Sequence, residues 1–145
     1  MSSGQIKIKI KRLHPDAKSP SYAHPGDIGF DLYSMEEYIL EPGERKIFPL
    51  GFALEFDMGY GAIVKDKGSM SKAGLHTMGG VFDAGYRGEY NVNLINLASE
   101  PYHIEKGQKI AQLVIFPVAI ATLVETDTLS DTSRGDGKWG STGKF

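Results

Sequence analysis

Apolar and basic residues alternate strictly near the start of the chain. Gln5-Ile6-Lys7-Ile8-Lys9-Ile10-Lys11 carries a β-branched residue at every second position and lysines between, the period of a half-buried strand with one face in water. Shorter β-like segments follow at Tyr38–Leu40, Arg45–Leu50, Ala53–Phe56, Ala62–Lys65, Tyr90–Leu97, Ile110–Phe116 and Val118–Glu125. Pro42-Gly43, Met58-Gly59 and Lys106-Gly107 punctuate them as turns. The stretch from His14 to Pro25, rich in Pro, Ser and Asp, reads as loop. One short helix is predicted near Ser71–Leu75. Many short strands with glycine-rich turns predict an all-β domain, either sandwich or barrel. From Leu129 onward the pattern stops. The remainder is polar and glycine-rich around a single Trp139, so residues 1–129 are expected to fold and residues 130–145 to form a mobile arm.

Composition narrows the field. A chain of 145 residues suits one domain. With no cysteine there is neither a disulfide framework nor a thiolate metal site or nucleophile, which is compatible with a reducing cytoplasm. The net charge of −2 is too balanced for broad capture of polymeric nucleic acid. No apolar run approaches the ~20 residues of a membrane span, and the N-terminus carries no signal-peptide pattern. A soluble cytoplasmic protein is expected. Glycine is enriched, at 18 residues, without a collagen-like period, so these glycines serve turns and close backbone approach.

Chemistry concentrates in two segments. The four histidines, at 14, 24, 76 and 103, lack the spacing of a helical zinc site. In Gly79-Gly80-Val81-Phe82-Asp83-Ala84-Gly85-Tyr86-Arg87-Gly88-Glu89, an acidic residue among glycines precedes a tyrosine by three positions. Such a turn can present a carboxylate and a ring to a small ligand, or be an ordinary hairpin with a solvated Asp. Lys67-Gly68-Ser69-Met70-Ser71-Lys72 sets cations and small residues at the start of the helix, which suits either an anion site or a plain helix cap.

Taken in order, five segments resemble the motifs of the trimeric dUTPase family. They are Pro25-Gly26-Asp27-Ile28-Gly29-Phe30-Asp31-Leu32-Tyr33-Ser34, then Lys67 to Gly74, then Gly80 to Glu89, then Gly107-Gln108-Lys109-Ile110-Ala111-Gln112-Leu113-Val114, and last Arg134-Gly135-Asp136-Gly137-Lys138-Trp139-Gly140-Ser141-Thr142-Gly143. The resemblance implies a distorted jelly roll assembled as a homotrimer, with active sites at subunit boundaries and hydrolysis of dUTP to dUMP and pyrophosphate with magnesium. It implies that Asp83 activates the attacking water and that Tyr86 stacks under the deoxyribose. The turn from Thr77 through Gly80, Val81 and Phe82 would read uracil, with Asn91 nearby. Lys67, Gly68, Ser69 and Gln112 would hold phosphates, and Asp31 would reach Mg2+ through water. Arg134, Trp139, Gly140, Ser141 and Thr142 would close over the nucleotide.

The second motif departs from the family's usual Arg-Ser-Gly, reading Lys67-Gly68-Ser69. This difference leans toward the homologous dCTP deaminases, alone or combined with dUTP hydrolysis. Deamination needs a glutamate where Asn93 stands and an arginine where Lys72 stands, which ranks it second. A trimer that binds nucleotide or protein without turnover ranks third.

Overall fold

Residues 4–145, which the computed structural model describes, form their strands where neighbours can complete the hydrogen bonding. In chain order these are β1 (Lys9–Arg12), β2 (Gly29–Tyr33), β3 (Tyr38–Leu40), β4 (Arg45–Pro49), β5 (Phe52–Glu55) and β6 (Tyr60–Lys65). A short helix, α1 (Gly68–Lys72), precedes β7 (Leu75–Met78), β8 (Val81–Phe82), β9 (Asn91–Asn96), β10 (Tyr102–Ile104) and β11 (Lys109–Pro117). All pairings are antiparallel. A four-stranded sheet runs β2-β11-β6-β8 and a three-stranded sheet runs β4-β9-β7, flanked by the pairs β1-β5 and β3-β10. One core joins them, drawing Leu32, Val64 and Leu113 from the first sheet and Phe48, Val92 and Leu94 from the second. The architecture is the expected all-β, jelly-roll-like single domain. No helix is long and apolar enough to cross a membrane among the described residues.

Period-2 patterning works best on β9, where Val92, Leu94 and Asn96 are buried and the residues between are half-buried. It breaks on β11. A bulge between Lys109 and Ala111 shifts the register against β2, and Ile110 and Ala111 are both fully buried as a result. Lys109 is thereby left at the surface end of the strand, above β2.

Several expectations need correction. The first strand starts at Lys9 rather than Gln5, and all four of its residues are exposed. It pairs with β5 alone, so it lies at an edge. The helix begins at Gly68, three residues earlier than predicted, and Leu75 opens β7 instead of ending the helix. β2, β7, β8 and β10 are absent from the segments that the pattern predicts. β2 hides Leu32, Tyr33 and the polar Asp31 together, which erases any alternation. Val118–Glu125 forms no strand. Its residues favour extended structure, but after Val118 donates to the Gly59 carbonyl at 2.8 Å no neighbouring strand exists to satisfy its backbone.

Asn96 ties the sheets together. Fully buried, it donates from Nδ2 to the carbonyls of Leu40 (3.0 Å) and Glu100 (2.9 Å) and accepts from the Ala98 amide (2.9 Å). Asn96→Ala strands these groups in the interior and should lower unfolding free energy by about 2–3 kcal/mol. Urea denaturation checks this, and a change below about 0.5 kcal/mol would contradict the role.

Candidate active site

Two clusters form at the ends of β6, one charged and one aromatic. The charged cluster is built on β2 and β11. Asp31 is only 3% exposed and sits opposite Gln112 across the ladder. Its Oδ1 accepts a hydrogen bond from Lys67 Nζ, and Lys109 Nζ lies 3.0 Å from Oδ2. That second contact is ionic without a well-directed hydrogen bond, so Oδ2 remains without a donor aimed at it. Burial by itself would raise the Asp31 carboxyl, but the hydrogen bond from Lys67 and the charges of Lys67 and Lys109 outweigh it and hold the group below its ordinary value. Lys109 is pushed up in turn by the same carboxylate. The result is a polar pocket of about 370 Å³ lined by Asp31, Asp27, Lys67, Lys109, Gln112 and His24, in which two ammonium groups face two carboxylates.

Lys67 reaches that pocket because the chain turns there. It caps α1 with an extended backbone, and its carbonyl accepts from Met70 (3.0 Å) and Ser71 (2.9 Å). Met70, buried, pins the turn to the core. The amides of Gly68 and Ser69 open the helix and have no intrahelical acceptor.

The aromatic cluster surrounds the segment after β8. Phe82 stacks on Tyr90 with centroids 4.1 Å apart at 13°, and Tyr90 stacks in turn on Phe52. Tyr86 leans on both Phe82 and Tyr90 and donates its hydroxyl to the Glu89 carbonyl at 2.9 Å. Its ring is thus held at the surface, with Gly88 beneath it where any Cβ would strike the phenol. Asp83 begins the same turn, its carbonyl accepting from the Tyr86 amide at 3.1 Å, and it is exposed. Tyr90 is fully buried with an unpartnered hydroxyl, and burial pushes that phenol up to about 12. It stays neutral and serves as packing.

β6 joins the two clusters. It pairs with β8 through Ile63↔Val81 and with β11 through Lys65↔Gln112. Between β7 and β8 the chain makes a glycine turn. Gly80 has φ +92°, and a Cβ there would lie 3.0 Å from the Val64 Cβ, so only glycine lets the turn press against β6. Its carbonyl accepts from the Val64 amide at 2.8 Å. Thr77 enters the turn buried, with its amide and hydroxyl each 2.7 Å from Asp66 Oδ1. Asn91 starts β9 opposite Pro49, two residues from the Asn93↔Met78 pair that ends β7.

Of the residues singled out in the sequence, Asp31, Lys67 and Gln112 line the charged pocket, Gly68 and Ser69 open α1 next to it in the chain, and Val81, Phe82, Asp83 and Tyr86 lie at the aromatic turn. Thr77, Gly80 and Asn91 lie around the turn between them. Arg134, Trp139, Gly140, Ser141 and Thr142 join neither. The arm's hydrogen bonds are local, such as Arg134 Nε to the Gly137 carbonyl at 3.1 Å, and Trp139 is fully exposed. Sequence reasoning missed Asp66 and Lys109. Lys109 sits within a recognised segment, but only the bulge in β11 directs it onto Asp31.

Both Asp31 and Asp66 titrate below their ordinary value of 3.8 in the folded chain. For Asp66, burial raises it, while hydrogen bonds from Thr77 and His76 prevail. A depressed carboxyl stabilises the fold above its unfolded pKa, and that contribution disappears as pH falls through the folded value. Melting temperature should therefore drop as pH is lowered below about 4, and the Asp31→Asn variant should show a shallower drop. Parallel acid limbs in thermal melts would refute the contribution.

Comparison with known proteins shows the family. A model of the dUTPase family matches residues 15–143. The deoxyuridine 5'-triphosphate nucleotidohydrolase of Nautilia profundicola is 43% identical over 142 residues, covering 96% of this chain and 100% of that protein. The enzyme of the same description from Thermobifida fusca is 44% identical over 144 residues, covering 97% and 80%. The dUTPase of Staphylococcus bacteriophage 80alpha, solved with dUpNHpp, superposes with a TM-score of 0.89 at 28% identity over 95% of this chain and 99% of that one. A mutant dUTPase from phage phi11 of S. aureus, described for coordinating a structural Mg(II) ion, gives a TM-score of 0.80 at 25% identity, covering 86% and 99%. A family match spanning both clusters and the arm, with relatives above 40% identity along nearly the whole chain, shows that the chain belongs to the dUTPase family.

Proposed function

We propose that the chain hydrolyses dUTP to dUMP and pyrophosphate, with Asp83 as the base that activates water for attack on the α-phosphorus. The observation that carries this reading is the pairing of β6 with both β8 and β11. It sets a glycine turn and a free carboxylate along one edge of β6 and a pocket carrying Lys67 and Lys109 along the other, groups that suit the base and the phosphates of a nucleotide. The turn from Thr77 to Phe82 presents backbone groups to uracil. Tyr86, fixed by Glu89 and its aromatic neighbours, stacks under the sugar and leaves no space for a 2′-hydroxyl. Lys67, with the free amides of Gly68 and Ser69 and the amide of Gln112, holds the phosphates. Lys departs from the family's Arg here and makes a point contact rather than a forked one.

The residues fit magnesium only in an outer sphere. Among the described residues no three metal-ligating side chains group together, but Asp31 Oδ2 is a buried acceptor without a directed donor and can take a hydrogen bond from a metal-bound water. Few protein ligands is usual for this ion. When bound with the phosphates, magnesium neutralises their charge. Lys67 then leaves Asp31 for a phosphate oxygen, and Lys109 stays to balance the buried carboxylate. Asn93 faces Ile47 and Met78 across β9, and an amide there moves no proton, so no observation favours deamination.

The arm completes the site from another subunit. Ile120, Leu123, Val124 and Leu129 are all exposed in the free chain, a run of apolar side chains that water disfavours. We assign residues 118–129 to a neighbouring copy in a homotrimer, bringing Arg134 to its phosphates and Trp139 to its uracil. Residues 130–145 act as a lid that orders when nucleotide arrives, since their polar, glycine-rich composition repays little ordering entropy otherwise.

Asp83→Asn should lower dUTP turnover on the order of a hundredfold or more while binding of a non-hydrolysable analogue persists. Near-normal pyrophosphate release from this variant would show that the base lies elsewhere. Chains truncated after Ser133 should fold but be nearly inactive, and mixing them with Asp83→Asn chains should regain part of the activity. A monomer by light scattering, or no rescue after confirmed subunit exchange, would count against a shared site.

A further inference from the structure

The turn that carries Asp83 and Tyr86 is anchored at both of its ends. Upstream, Phe82 stands opposite Ala62 in the ladder of β8 with β6. Downstream, Glu89 Oε2 accepts from the Gly51 amide at 2.8 Å, and the Tyr90 amide donates to the Phe52 carbonyl at 2.9 Å. The aromatic stack holds the Tyr86 ring. Asp83 has less to hold it. One backbone hydrogen bond links it to Tyr86, and between them stands Gly85. That glycine lies outside the left-handed region, and a Cβ added to it would meet open space. Neither backbone strain nor close packing calls for glycine here, and its freedom loosens the turn between the two residues.

Arg87 spans that point. Its Nη1 donates to the Ala84 carbonyl at 2.6 Å and to the Tyr86 carbonyl at 3.3 Å, one on each side of Gly85. Its Nε lies 3.3 Å from Glu55 Oε1 at the end of β5, and Glu55 Oε2 in turn meets Lys9 Nζ of β1 at 3.2 Å. The guanidinium therefore ties the middle of the turn to the strand that receives its far end. We propose that Arg87 is a positioning residue whose guanidinium bridges Gly85 and so fixes the Asp83 carboxylate relative to Tyr86. The proposal rests on the assignment of Asp83 as the base. The Arg87 and Glu55 side chains are 52% and 46% exposed, so their ion pair adds little stability. What the bridge supplies is orientation. Its planar array of donors meets two carbonyls and a carboxylate at once, which an ammonium on a flexible stem does not reproduce. A displacement of about 1 Å in a reacting group can cost on the order of a hundredfold in rate, whereas Tyr86 keeps its own stack. Rate and binding should then separate.

The test measures pyrophosphate release from dUTP and UTP with magnesium for the full-length wild type, Arg87→Ala, Arg87→Lys and Arg87→Ala with Gly85→Ala, alongside thermal melting. Arg87→Ala should lower kcat for dUTP about tenfold or more, with KM and the dUTP-to-UTP preference within about twofold of wild type. Its melting temperature should move by no more than a few degrees, about what an exposed pair contributes. Arg87→Lys should remain impaired, and it carries the test if the alanine variant does not fold. Adding Gly85→Ala to Arg87→Ala should recover part of the lost kcat, because alanine restricts the backbone that the bridge had restrained. Full turnover by Arg87→Lys would show that charge alone matters and overturn the bridge, as would a double variant no faster than Arg87→Ala. A lower melting temperature with unchanged kcat would reduce Arg87 to a structural role. Should Asp83→Asn be inactive while Arg87→Ala turns over normally, Arg87 alone is refuted. If Asp83→Asn retains turnover, the assignment of the base and this proposal fall together.

Discussion

The register of β11 is the constraint on which the site depends. This strand pairs with β2 on one side and β6 on the other, so a single residue, Gln112, stands opposite both Asp31 and Lys65. A slip of one position would turn every β11 side chain to the other face and separate Gln112 from the loop it holds through Asp66. The bulge at Lys109 makes the register asymmetric. It buries two consecutive residues and frees the lysine before them to reach Asp31. Structural and chemical roles are thereby carried by the same nine-residue strand.

A buried carboxylate must be paired, or its desolvation is not repaid. Asp31 meets that requirement with two lysines from different strands and loops. The chain thus holds Lys67, the cation proposed to bind phosphate, against a carboxylate of its own. A ligand bearing several negative charges competes for Lys67 directly, and Lys109 prevents the carboxylate from being left alone.

The aromatic side of the site is built on different physics. Phe52, Tyr90, Phe82 and Tyr86 form a ladder from the core to the surface, which fixes the exposed ring without any charge. Asp83, adjacent to it, is exposed and makes no ion pair among the described residues. The arm, by contrast, has neither ladder nor sheet partner, and its apolar side chains stay in water. In the proposed assembly that surplus is what commits one subunit to the next.

Much of this was legible in the residues themselves. Short β-like runs bounded by glycine turns located β9 and most of β4, β6 and β11, because strand composition and turn chemistry are both local. Glycine-bounded Asp83 and Tyr86, and Lys67 with its small neighbours, marked the two ends of the site because turn chemistry is local. Tertiary structure alone decided the rest. β2 escaped notice because it is buried on both faces around Asp31, and Val118–Glu125 has strand composition but no strand to pair with. Asp66 gave no local signal, since its value lies in meeting Thr77 eleven positions away and Gln112 forty-six positions away. Local propensity and period are written residue by residue, whereas a carboxylate's partners exist only once separate strands have been brought into register.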